Sequence, residues 1–338
     1  IIFSDFKEKE FDETKHAIEA SKRFNTKHKY KIVDHEILND WAKTIYYCDQ
    51  PHGDISFLPT YEVAKLASKE VKMVLTGDGG DELFAGYEKY KSFFNGDGGI
   101  NSPLQKLSDI DFRKSYSNRI SVFNLNERKK LLKDINGDNQ LKKYDFPLLN
   151  PYEYLLERFE EVEHLDRLNQ VLAIDCKLLL PGNNLVKPDR MGMAASLEAR
   201  TPFLDYRIVH EALSMPGGYK LKNNCTKFIL KKLVNPLIGE KLTYRKKQMF
   251  TVPIGEWIKK EFIDEIKFWL FDTKTTQRKL FNKEFVEELL NQHISGKVNR
   301  TRHLRLLVAI EIWMRVYIDP SNIKENHLDL NQYKKKEE

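Results

Sequence analysis

Cysteine is scarce: the chain has three in 338 residues, Cys48, Cys176 and Cys225. They are far apart, odd in number and include no C-x-x-C pair, which argues against both a disulfide framework and a zinc site. A reducing compartment, and so the cytoplasm, is the expectation. Long hydrophobic runs are also missing. The longest apolar stretch, Leu304 to Ile318, is broken by Arg305, Glu311 and Arg315 and is too short to span a bilayer, so it reads as a buried helix and no membrane partner is expected. No signal peptide opens the chain, so the N-x-T triplets at Asn224 and Asn299 read as chance matches. Neither charge sign prevails: 56 Lys and Arg face 50 Asp and Glu, and a net +6 does not by itself imply nucleic acid. G-x-x-x-x-G-K-[ST], H-E-x-x-H and G-x-S-x-G are absent, which removes Walker-type NTPases, zincins and serine hydrolases. No internal repeat is present. The first residues, I-I-F-S, lack an initiator methionine and read as the exit of a strand, so sequence upstream is expected.

What is present suits a globular fold, since 41% hydrophobic and 12% aromatic content allow one large core or two modest ones. Asp12 to Phe24 has helical spacing, Lys29 to Val33 alternates like a strand, and helices over Glu36 to Tyr47 and Pro59 to Lys69 lead to a buried strand from Val71 to Leu75. The order β-α-β-α-α-β favours one parallel sheet. Residues 1–95 therefore read as an α/β part and 96–150 as a peripheral helical insertion. Residues 151–320 read as a mostly helical part, with helices over 152–163, 167–180, 207–214, 226–233, 254–271, 283–292 and 303–318. Residues 321–338 read as a polar tail.

The densest chemistry lies from Thr76 to Tyr87, T-G-D-G-G-D-E-L-F-A-G-Y, just after that strand. Glycines at 77, 79 and 80 admit positive φ and bring bare backbone close to a bulky anion, so successive N–H groups form a nest. Asp78, Asp81 and Glu82 place hard oxygen ligands beside it, which makes sense chiefly with a divalent cation between carboxylate and phosphate. A glycine turn whose Asp81 caps the helix is the structural alternative. From Leu180 to Asp205 the charges Lys187, Asp189, Arg190, Glu198, Arg200 and Asp205 stand among Leu, Met and Ala, and read either as a buried ion network with a function or as a salt-bridged helix pair. The run Y-R-K-K-Q-M-F from Tyr244 to Phe250 is either a solvated loop or a weak nucleic-acid patch.

Taken together, these segments resemble the synthetase domain of the glutamine-hydrolysing asparagine synthetases, relatives of the β-lactam synthetases. That family carries S-G-[DE]-G-x-D-E-x-F-x-G-Y after a strand, and Thr76 to Tyr87 matches it with Thr for Ser. It carries D-E-P before a serine, where this chain has Asp49, Gln50, Pro51 and Ser56. Its pattern L-P-x-x-x-L-x-K-x-D-R-x-x-M-x-x-x-x-E-x-R-x-P-F-L-D is met without a gap from Leu180 to Asp205, and its W-R-x-K-x-x-F corresponds to Tyr244 through Phe250.

The resemblance implies an α/β fold with a parallel sheet of the adenine nucleotide alpha hydrolase-like (PP-loop ATPase) type. Its chemistry is ATP-dependent amide synthesis: a carboxylate attacks the α-phosphorus of ATP to give an acyl-adenylate and pyrophosphate, and ammonia displaces AMP. Aspartate or a related acid is the implied acceptor and glutamine the source of ammonia. ATP and Mg2+ are the implied cofactors, and a homodimer is possible on the family's pattern. By the same resemblance Thr76, Gly77 and Gly79 border the nucleotide, Ile1 starts the adenine pocket, Asp81 holds Mg2+ and Asp78 orients the substrate. Lys247 is the catalytic lysine, and Arg190, Glu198 and Arg200 belong to the substrate pocket. The expectation is one cleft joining the Gly77 loop, Arg190 or Arg200 and Lys247. The match fails at the family's S-G-G-x-D-S pyrophosphate loop and at its N-terminal cysteine nucleophile, neither of which occurs here. The chain is therefore expected to be a fragment, inactive alone. Three other readings stay open: a relative that amidates or cyclises another acid, a basic binding module in which Lys231, Lys232, Arg245, Lys246 and Lys247 line a nucleic-acid face, and a non-catalytic interaction domain descended from the synthetase fold.

Overall fold

A computed structural model describes residues 2–6, 13–96, 98, 103–132, 151–245 and 253–319. Ile1, Lys247, residues 133–150 of the expected insertion and the expected tail at 321–338 lie outside the described residues. The first part runs β1 (Ile2–Phe6), α1 (Thr14–Arg23), β2 (Lys29–Val33), α2 (Trp41–Cys48), α3 (Phe57–Ala67), β3 (Met73–Leu75), α4 (Gly80–Leu83) and α5 (Glu88–Phe93). Then come α6 (Asp109–Ile120), α7 (Leu125–Leu131), α8 (Pro151–Glu160), α9 (Arg167–Ile174), α10 (Val186–Ala194), β4 (Glu198–Arg200), α11 (Tyr206–Ser214) and α12 (Phe228–Ile238). The chain closes with α13 (Glu240–Thr243), α14 (Ile254–Lys259), α15 (Ile263–Phe271), α16 (Thr273–Gln277), α17 (Lys283–Ile294) and α18 (Thr301–Trp313). No described helix is long and apolar enough to cross a membrane.

The strands are parallel, as their order predicts, but among the described residues they form two separate pairs and not one sheet. β1 pairs with β2 from Ile2 opposite Lys29 to Phe6 opposite Val33. β3 pairs with β4 from Met73 opposite Glu198 to Leu75 opposite Arg200. Helix α3 supports both: it packs on β1 and β2, and its Ala64 and Ala67 meet Val74 of β3 and Leu197 just before β4. Only that face of β3 is covered. Leu75 is 69% exposed, so the expectation of a buried strand is corrected: the apolar run Val71 to Leu75 has one packed face, not two.

Helices α3 and α10 run side by side in one direction, with Lys187 reaching Ser56 at their starts and Ala64 and Ala67 against Leu197 near their ends. Both starts therefore lie at the end of the pair where β3 finishes. Helix α9 stops at Ile174 and continues as wide π-helical turns from Asp175 to Asn184, with Pro181 inside. Proline cannot donate to the i→i−4 ladder, so the expected single helix to Leu180 is interrupted.

The main core joins Trp41 and Ile45 of α2 to Trp257, Trp269, Leu289 and Leu304 of the last helices. A second core is aromatic: Tyr90, Phe94, Phe112, Tyr116 and Phe159 are all fully buried. Phe112 and Tyr116 belong to α6, so the described part of the insertion builds the core and is not peripheral. Its polar, lysine-rich sequence hides this, because one inward pair at i and i+4 carries the packing.

Candidate functional site

The acidic glycine turn springs directly from β3. The Thr76 amide donates to the Arg200 carbonyl at 2.8 Å, extending the ladder by one residue. Gly79 then takes φ +86°, and a Cβ there would stand 2.2 Å from Leu204 Cδ2. Glycine is required twice over, by backbone and by space. Gly79→Ala is expected to cost about 1–3 kcal/mol, measured as a shift of the urea midpoint. Gly77 differs: a Cβ there would meet nothing within 4 Å, so its backbone faces open space. Between the ladder and that opening sits the Thr76 hydroxyl, whose Oγ1 is buried without a hydrogen-bond partner. Buried polar atoms rarely stay unpaired.

The three carboxylates of the turn do different things. Asp81 Oδ1 lies 3.0 Å from Lys227 Nζ, both side chains mostly buried. Gly86 makes room for the pair, since a Cβ there would fall 1.8 Å from Asp81 Oδ1 and 2.2 Å from Lys227 Cε. Lys227 sits at the start of α12 with φ +52°, and its amide donates to the Phe84 carbonyl at 3.1 Å. Asp78 forms no hydrogen bond or ion pair with the described residues. Glu82 is the correction. It is buried and turned away from the nest, accepting from the Tyr87 hydroxyl at 2.7 Å and from Asn184 Nδ2. Burial and the Glu82 carboxylate push the Tyr87 phenol well above its ordinary value, so it stays a donor.

The charged stretch from Leu180 to Asp205 is mostly a surface and not a buried network. Glu198 and Arg200 pair with each other at 2.8 Å, and Arg200 is exposed. Arg190 reaches Asp49 at 3.0 Å, at the D-Q-P segment. Asp205 caps α11 by accepting from the Arg207 amide at 3.0 Å. Arg200 therefore meets the Gly77 loop through backbone alone, and Arg190 is held by Asp49. Lys187 alone enters a part-buried cluster, with Asp54 at 2.9 Å. Beside it the His52 ring accepts from the Asp54 amide at 3.1 Å, and burial pushes the imidazole from 6.5 down to about 4. Unfolding takes up a proton in that window, so stability falls as pH drops from 6.5 towards 4, by up to about 3 kcal/mol. His52→Asn is expected to lose less between about pH 7 and about pH 4.5, read by urea unfolding at each pH.

Sequence reading passed over two features. Lys227 was hidden inside a predicted helix. The available signal was a cation at a helix start, where the macrodipole disfavours it. The second is Asp175, which is fully buried and accepts from the Tyr90 hydroxyl at 2.5 Å and the Tyr116 hydroxyl at 2.7 Å, with Lys89 Nζ 2.6 Å away. Burial pushes the Cys176 thiol up to about 12, so it is no nucleophile.

The residues fit a nucleotide: an orphaned hydroxyl, a glycine facing open space and a left-handed turn lie together at a strand end. They also fit Mg2+ carried by phosphates, which needs only one or two protein carboxylates, and Asp81 supplies one. No cluster of three metal-ligating side chains occurs among the described residues.

Fold and site together define a mostly helical α/β protein with an acidic glycine turn at the end of a parallel strand. The family model described as asparagine synthase matches residues 2–315. The chain belongs to that family, as its synthetase domain. It is 27% identical over 343 residues to "Asparagine synthetase [glutamine-hydrolyzing] 1" of Bacillus subtilis, covering 95% of this chain and 52% of the relative. "Asparagine synthetase [glutamine-hydrolyzing] 3" of the same organism is 25% identical over 245 residues, 69% of this chain and 36% of the relative. "Amidase chyE" of Penicillium rubens is 20% identical over 265 residues, 68% and 39% respectively. The chain spans about half the length of the first of these relatives.

Proposed function

We propose that the chain carries the synthetase part of an ATP-dependent amide synthesis on a PP-loop ATPase type of sheet. A carboxylate oxygen of aspartate attacks the α-phosphorus of ATP and pyrophosphate leaves. Ammonia then attacks the acyl carbon, loses a proton, and AMP departs. The observation that carries this reading is the unpaired, buried Thr76 hydroxyl beside the open Gly77 backbone.

Each residue has a task in it. Thr76 and Gly77 border the nucleotide and Gly79 shapes the turn, with Ile1 at the edge of the adenine pocket. Asp78, without a partner among the described residues, orients the acceptor. Asp81 is the ligand for Mg2+, which when bound offsets negative charge on the departing pyrophosphate. Lys227 balances the Asp81 charge. Lys247 stabilises charge that develops at the α-phosphorus, a role suited to an ammonium on a flexible stem. Arg190, Glu198 and Arg200 flank the acceptor. Ammonia would come from glutamine, which the Bacillus subtilis relatives hydrolyse by their names.

The 338 residues contain no S-G-G-x-D-S run, so the chain alone is expected not to exchange pyrophosphate into ATP. The test joins this chain to the part of the first Bacillus subtilis relative that it does not match, and assays the hybrid with ATP, Mg2+, aspartate and ammonia. AMP and pyrophosphate are the expected products. ADP and phosphate, or no turnover by a hybrid that unfolds cooperatively, would overturn the reading. The resemblance to an amidase favours one second reading, another acid in place of aspartate, and AMP release with that acid alone would select it.

A further inference from the structure

A cavity of about 230 Å³ lies among α6, α7, α8 and the π-helical stretch that follows α9. None of its lining residues belongs to the acidic turn or to the charged stretch from Leu180 to Asp205. Its walls come from two cores. Phe123, between α6 and α7, belongs to the main core, whereas Leu155 of α8 belongs to the aromatic core, with Ile120 and Leu178 packed against it. Helices that serve different cores meet here without interdigitating, and a gap much larger than the voids of ordinary packing stays open. Leu125 and Tyr154 complete the apolar lining, and both are exposed, which puts the mouth at the surface.

The two serines of the lining turn their protons to the backbone: Ser117 donates to the Arg113 carbonyl at 2.8 Å and Ser121 to the Ser117 carbonyl at 2.7 Å. Among the described residues one charged side chain lines the cavity, that of Arg128, and it makes no hydrogen bond or ion pair with them. The neighbouring charges are engaged with one another. Glu127 holds Arg300 at 2.7 Å, and Arg158, stacked over the Tyr154 ring at 5.2 Å, pairs with Glu161. A single planar guanidinium matches a single carboxylate by two parallel hydrogen bonds. An apolar cavity of about 150 Å³ already takes up a benzene-sized molecule. At roughly 30 Å³ for each water-sized group, the present one has room for about seven or eight methylenes.

We infer that this cavity binds a straight-chain monocarboxylic acid of about six to eight carbons, its carboxylate on Arg128 and its tail against Phe123, Leu155 and Leu178. The site is independent of the adenylation reading. Butyrate, hexanoate, octanoate and dodecanoate, with octanol as the uncharged counterpart, are titrated calorimetrically into the chain and its variants, with thermal unfolding as the control for folding. Affinity is expected to rise about fourfold for each CH2 from butyrate to octanoate, and to gain little from octanoate to dodecanoate because the cavity is then full. Arg128→Met should weaken octanoate about 10- to 100-fold and leave octanol unchanged, and Arg128→Lys should restore part of the loss. Ser121→Phe, which puts a ring into the cavity from its exposed rim, should remove the binding of both. The inference is overturned if the wild-type chain does not bind octanoate, or if affinity climbs through dodecanoate without a break, as for a detergent on an open surface. It is equally overturned if both Arg128 variants bind octanoate like wild type, if Arg128→Met loses octanol along with octanoate, or if a cooperatively folded Ser121→Phe chain still binds.

Discussion

Asp81→Asn in the hybrid enzyme is expected to lower Mg2+-dependent AMP release by at least about 10²-fold in kcat and to raise the Mg2+ concentration needed for half-maximal rate. Asp81 is held in a narrow position, with its oxygen against Lys227 and the Cα of Gly86 beside it. An amide of the same shape keeps the packing but supplies no charge to a cation on the phosphates. It also leaves the Lys227 ammonium without its carboxylate. An Asp81→Asn enzyme with unchanged Mg2+ dependence would show that Asp81 only packs against Lys227. A shared fall in thermal stability and rate would be separated by single-turnover measurements at a temperature where both proteins are folded.

The largest expected effect on stability is at Asp175. Its carboxylate is fully buried and takes two phenol hydroxyls and the Lys89 ammonium. Burial and the adjacent carboxylate push Tyr90 and Tyr116 well above their ordinary values, so both remain protonated donors. Asp175→Ala strands both phenol hydroxyls in the aromatic core and leaves the half-buried Lys89 ammonium without its carboxylate. Breaking a buried pair in this way costs about 3–5 kcal/mol, read from urea unfolding. Asp175→Asn, which keeps one acceptor oxygen but not the charge facing Lys89, should fall between. A loss under about 1 kcal/mol for the alanine variant would mean that water reaches the cluster and satisfies it.

The turn was legible in the sequence because its glycines answer a local demand: Gly79 needs positive φ and Gly77 opens on free space. Parallel pairing was legible from element order. The burial of β3 was not, since an apolar run does not say how many of its faces are covered. Charges were read least well. The stretch from Leu180 to Asp205 holds six of them among apolar residues, yet Arg190, Glu198 and Arg200 reach the surface while Lys187 turns inward. Spacing along one segment does not reveal what another segment brings to it. Lys227 arrives from the head of a distant helix, so it could not be paired with Asp81 before the fold was known. Glu82 was misplaced for the same reason, because its partner Asn184 comes from a distant π-helical stretch.

The central claim is that a carboxylate oxygen attacks the α-phosphorus of a nucleotide held at the Thr76 to Asp81 turn. Aspartate carrying 18O in its side-chain carboxylate, turned over by the hybrid with ATP and ammonia, should yield AMP containing one 18O atom, seen by mass spectrometry. Unlabelled AMP, or label found in inorganic phosphate alongside ADP, would contradict it.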